Sequence, residues 1–130
     1  MRKTILIIFM SLLIMKAFSQ DNEKFIRLEN NIIEDVKPTD DNVQVVYQYG
    51  MRVLSFTVKI ENFKEFIKSL GYEYLTSNYI YNQNVIKYLN CEKRTILSVV
   101  SLGDNSYSIS IDWYKKSEPE QIIPFMKCKK

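Results

Sequence analysis

Histidine is absent from this chain of 130 residues. Its absence excludes the Ser-His-Asp and Cys-His catalytic arrangements and removes the commonest transition-metal ligand. Glycine is scarce, and Gly50, Gly71 and Gly103 stand alone. No glycine-rich loop is available to cradle a phosphate. With two cysteines, Cys91 and Cys128, a four-thiolate zinc site is excluded by count. Low-complexity tracts, internal repeats and Pro/Gly/Ser-rich linkers are all missing, so a second domain is not expected. Neither a cofactor nor a resident metal is called for by any motif.

One apolar run is present, "KTILIIFMSLLIMKAFSQ" from Lys3 to Gln20. Arg2 and Lys3 give it a positive start, residues 5–15 are its core, and Ala17-Phe18-Ser19 places small residues at −3 and −1 of a cut before Gln20. That is the build of a secretory signal peptide. Lys16 breaks the run short of the roughly 20 apolar residues a membrane span needs. With no cysteine before Cys91 there is no lipid attachment point after the cut. The expectation is a signal peptide over residues 1–19 and an exported, periplasmic or secreted product without a stable membrane anchor. A single domain with a lysine-rich tail then occupies residues 20–130.

Charge depends on that cut. The whole chain carries 18 Lys+Arg against 15 Asp+Glu. Arg2, Lys3 and Lys16 leave with the leader, so 15 bases then face 15 acids. A net charge of zero does not suit nucleic acid, and none is expected as a partner. Residues 21–41 are acid-rich and the tail from Lys115 is lysine-rich. These ends read as solvated surface that attracts weakly at most.

Periodicity supplies the elements. Phe25, Leu28, Ile32 and Val36 recur at helical spacing, predicting a helix over 23–36 with Pro38 beyond it. "VQVVYQYGMRVLSFTVKI" reads as two strands about Tyr49-Gly50-Met51, with Leu54, Phe56, Val58 and Ile60 on one face of the second. In "ENFKEFIKSLG", Phe63, Phe66, Ile67 and Leu70 make one helical stripe. Asn62 is placed to cap that helix, Glu65 to complete a capping box and Gly71 to end it. Residues 72–90 alternate like short strands, although "NVIKYLN" also fits a helical turn. A final hairpin turns at Gly103-Asp104-Asn105. Tyr107, Ile109, Ile111 and Trp113 share one face of its second strand, and its first strand, apolar on both faces, belongs near the middle of a sheet. The fold class is α+β, with an antiparallel sheet of five or six strands and one or two helices on one face.

Four groups of residues are candidates for function. Asp112 with Glu73 or Glu92 is a carboxylate set of the type used in acid–base work, but nothing in the local sequence places any pair at a useful separation. Asp40-Asp41 offers oxygen ligands without EF-hand spacing. Cys91 and Cys128 fit a disulfide staple, the usual use of two cysteines in an exported chain. The alternative is a reactive thiol, for which no activating pattern is present. The tyrosine pairs Tyr47/Tyr49, Tyr72/Tyr74 and Tyr79/Tyr81 suit either strand edges or a binding surface. Tyr72, Tyr74, Tyr79 and Tyr81 are the binding candidates, being clustered in the least regular segment. The function expected is a non-enzymatic interaction protein, such as an immunity or inhibitor protein occluding a protein partner. Alternatives are a ligand-binding or envelope-assembly module with an apolar pocket, and a carboxylate-dependent hydrolase.

Overall fold

The computed structural model describes residues 21–39, 42–48 and 51–114 together with Phe125 and Cys128. The leader, Asp40-Asp41, Tyr49-Gly50 and most of the lysine-rich tail lie outside the described residues. Two helices, α1 (Asn22–Glu34) and α2 (Phe63–Ser69), accompany six strands: β1 (Gln44–Gln48), β2 (Met51–Lys59), β3 (Glu73–Ile80), β4 (Gln83–Asn90), β5 (Thr95–Gly103) and β6 (Ser106–Tyr114). The strands form one antiparallel sheet in the order β1-β2-β6-β5-β4-β3. This is the α+β architecture that the patterning implies, and residues 73–90 are a strand hairpin rather than part helix.

The helices cover one sheet face. Phe25, Leu28 and Ile32 of α1 pack with Leu54, Phe56, Leu97, Ile109 and Ile111, all of them buried. Phe25 makes edge contacts with both Phe56 and Phe66, so α1 and α2 meet over the sheet. The period-2 alternation of β2 and β6 survives intact, because one face is dry and the other is not.

Strand β2 holds α1 at both ends. At the start, the Asp21 backbone N–H donates to the Lys59 carbonyl at 2.7 Å and the Asp21 carboxylate accepts the Lys59 N–H at 2.9 Å. At the other end, buried Arg52 donates to the carbonyls of Asn31 (2.7 Å), Ile32 (3.2 Å) and Val36 (2.6 Å). Those carbonyls include the orphan acceptors of a helix C-terminus, where a cation also complements the helix dipole. The helix stops at Glu34, two residues short of the predicted 36, because Asp35 turns left-handed (φ 59) and Val36 bonds back to the Asn31 carbonyl.

Two capping expectations part at α2. Gly71 ends the helix as foreseen, with φ +99, and a Cβ there would lie 3.1 Å from the Asn90 amide. Asn62, however, makes no side-chain cap and completes no box with Glu65. Its backbone is itself left-handed (φ 51), whereas a capping residue needs extended backbone to aim its side chain at the first turn.

The opposite face carries a satellite cluster. Leu89 and Ile96 are buried beneath Phe125, with Leu75, Tyr114 and Cys128 around them. A disulfide joins Cys91 to Cys128, so the end of the chain is tied to the β4–β5 turn. Strand β5 is interior and touches apolar groups on both faces, as its sequence requires. Among the described residues no helix is long and apolar enough to cross a membrane.

Candidate functional site: the β3–β4 hairpin and its clefts

Helix cover ends before the sheet does, and β3 and β4 extend past it. Their pairing runs from Glu73↔Leu89 to Ile80↔Gln83, with a bulge between Tyr74 and Thr76. Pairing of β4 with β5 begins only at Ile86↔Val99. The last rungs, Asn78↔Val85, Tyr79↔Asn84 and Ile80↔Gln83, are therefore a two-stranded ribbon, and residues 77–84 are all exposed. No charged residue stands between Glu73 and Lys87.

At its tip the ribbon closes through Tyr81 (φ 49) and Asn82 (φ 62), both left-handed. Two such residues make the mirror-image turn that matches the twist of a hairpin. The same geometry recurs at Asp104 (φ 50) and Asn105 (φ 61). There the residue types are those that tolerate it, whereas Tyr81 places a bulky ring in a region that costs an ordinary residue roughly 1–2 kcal/mol. Tyr81 is also 95% exposed, so no packing within the described structure compensates.

A cleft of about 650 Å³ lies beside the ribbon, lined by Lys64, Ile67, Lys68, Tyr72, Tyr74 and Tyr88, with Glu73 as its one carboxylate among the described residues. A second, of about 410 Å³, opens where the hairpin end diverges from β5, between Asn82–Asn84 and Val100–Leu102. Lys64 and Tyr88 line both. Burial, with Tyr107 and Tyr74 adding to it, raises the Tyr88 phenol above its ordinary pKa and keeps it a neutral donor. Lys64 and Lys68, one helical turn apart, supply the cations of the rim.

The four candidate tyrosines do not form one surface. Tyr74, Tyr79 and Tyr81 are 62%, 75% and 95% exposed, and by register Tyr74 and Tyr79 stand on the helix-covered face of the sheet. Tyr72 stands apart from these three, being 2% exposed with its ring in the core, and it reaches only the wall of the larger cleft. Its hydroxyl donates to Glu29 at 2.5 Å and lies 2.8 Å from the Thr95 hydroxyl, while Lys93 reaches the other Glu29 oxygen at 2.5 Å. Desolvation first, and the Glu29 charge second, push the Tyr72 phenol far above its ordinary range, so it stays a donor. This buried set joins α1 to the sheet. Glu29 is legible in hindsight, because it follows Leu28 on the Phe25–Ile32 stripe where an apolar residue is expected. A carboxylate there needs partners.

No family model matches the chain, and neither curated proteins nor solved structures yield a match.

The other candidates are placed as follows. Asp112 lies across from Val53 on β2 and Ile96 on β5, so its cross-strand neighbours are apolar rather than Glu73 or Glu92. Burial raises its carboxyl to about 6, with Lys87 opposing the shift. Cys91 and Cys128 are bonded to each other. Asp40 and Asp41 fall outside the described residues, among which no group of three or more His, Cys, Asp or Glu side chains is arranged to hold a metal.

Proposed function

We propose that the chain is an exported binding protein that engages a protein partner, in the manner of an inhibitor or immunity protein, through the tip of the β3–β4 hairpin. One observation carries this reading. Residues 77–84 are an exposed, uncharged ribbon in which Tyr79 and Tyr81 stand among Ser, Asn and Gln. Rigid rings among small, adaptable hydrogen-bonding side chains are the composition of antibody-type contact surfaces. The left-handed Tyr81 supports the same reading, since strain retained without an internal gain is characteristic of functional positions. The disulfide fits an oxidising compartment and hence export.

The test is a photo-crosslinking amino acid at position 81 in the cells that produce the protein. A discrete adduct with a protein other than a second copy of this chain is expected from position 81 and not from Thr57, on the other sheet face. Against the protein so identified, Tyr81→Asn should weaken binding at least about tenfold, or roughly 1.4 kcal/mol. The same substitution should raise the melting temperature, because asparagine tolerates the left-handed turn. No adduct at 81, or unchanged affinity, overturns the proposal.

A second reading rests on the 650 Å³ cleft, whose volume and aromatic lining suit a small ligand with a flat apolar body and an anionic group held by Lys64 and Lys68. Native mass spectrometry of the purified protein would show such a ligand as a fixed added mass, lost on Lys64→Glu.

A further inference from the structure

Strand β3 ends the sheet, and its outer edge is unpaired among the described residues. Natural proteins blunt such an edge with lysine, proline, a bulge, a short strand or a covering element, and the bulge of β3 confines the open stretch to the residues after it. The opposite edge, β1, is short at five residues. Strand β3 runs for eight, and between its bulge and the turn, from Thr76 to Ile80, it contains no lysine, arginine or proline.

Turn geometry settles which backbone groups face outward. In a two-residue hairpin the flanking residues, here Ile80 and Gln83, exchange the hydrogen bonds that close the turn. Alternation then turns Asn78 inward toward Val85 and leaves the N–H and C=O of Ser77 and Tyr79 pointing away from β4.

We infer that β3 pairs with β3 of a second copy of this chain, antiparallel about a two-fold axis at Asn78, joining two six-stranded sheets edge to edge. That axis places Ser77 opposite Tyr79 of the other copy. The outward groups of each residue then meet those of the other in two reciprocal pairs, which gives four backbone hydrogen bonds between copies. Asn78 meets itself at a position where the strands are close, and two carboxamides can bond each other there. A two-fold contact also sets each residue near its own duplicate, so any charge near the axis would face its like. From Thr76 to Ile80 there is none. Both Tyr81 tips stay outside the paired residues, at opposite ends of the joined edge, so the assembly presents two binding tips. This goes beyond the proposed function and does not depend on it.

Sedimentation equilibrium of the protein as purified should give twice the protomer mass. Asn78→Lys, which sets two lysines face to face, should return it to a single protomer mass with an unchanged far-UV CD spectrum. Ser77→Pro should do the same, because it removes an outward N–H and leaves the β3–β4 ladder whole. Asn84→Lys on β4 should leave the dimer intact. Amide exchange gives an independent readout, with the Ser77 and Tyr79 N–H groups protected in the dimer and exchanging freely on dilution. A wild-type monomer at the highest soluble concentration, or dimers persisting in both Asn78→Lys and Ser77→Pro, overturns the inference. Neither result bears on crosslinking at Tyr81.

Discussion

Single residues decide most where a polar group sits among apolar ones, and Asp112 is the plainest case. Burial lifts its carboxyl from 3.8 to about 6, against the pull of Lys87. A raised folded-state value means that the native protein holds the proton more firmly than the unfolded chain. The penalty is absent below the unfolded value, grows between about pH 4 and 6, and is complete above that. Two units correspond to a cost on the order of 3 kcal/mol at neutral pH. Asp112→Asn is therefore expected to be more stable than wild type at pH 7, with the advantage vanishing by pH 4. Urea unfolding at the two pH values measures it, and an equal difference at both would remove this account of the site.

Elements depend on how their ends are satisfied. Helix α1 has no basic residue in its last turn, and Arg52 of β2 supplies the cation from across the sheet. Its planar fork serves several carbonyls at once, which a lysine cannot reproduce. Tyr47 lies over the guanidinium at 5.5 Å, and Asp35 adds an exposed ion pair. Arg52→Met would take a buried donor from the Ile32 carbonyl, at about 1–3 kcal/mol, while the Asn31 carbonyl keeps the Val36 N–H and the part-buried Val36 carbonyl is nearer to solvent. A loss of about 1–3 kcal/mol is expected, with amide exchange accelerated in the last turn of α1 ahead of β5 and β6. Uniform acceleration across the protein would mean that the residue supports the core rather than the helix end.

At the scale of the molecule, Phe125 and Cys128 close the sheet face opposite the helices. Phe125 caps Leu89 and Ile96, and the Cys91–Cys128 bridge holds it there across a sequence separation of 37. Closing a loop of that size removes unfolded-state entropy worth about 4 kcal/mol on the chain-entropy model. Cys128→Ser should lower stability by up to that amount and speed exchange at Leu89 and Ile96, whose cover is no longer tethered. An unchanged melting temperature with Phe125 still protected would show the bridge to be redundant with packing.

The alternation in Leu54–Ile60 and Tyr107–Trp113, and the stripes at Phe25–Ile32 and Phe63–Leu70, determined the elements and the side each one buries. Periods of 2 and 3.6 are local properties that survive any arrangement with one dry face. Turn chemistry at Asp104-Asn105 and the glycine at Gly71 were equally legible, because backbone conformation there is set by neighbours in sequence. The tyrosines of residues 72–81 could be marked as a group but not sorted. Only the extent of helix cover separates buried Tyr72, which precedes β3 and reaches Glu29 of α1, from the exposed rings farther along the edge strand. Arg52 and Glu29 stand in apolar phase but were not singled out from the sequence, and their partners lie 16–21 and 43–64 residues away. Local pattern records that such a group will be buried. Which carbonyl or hydroxyl meets it depends on strand order and helix docking, and the tertiary structure alone fixes those.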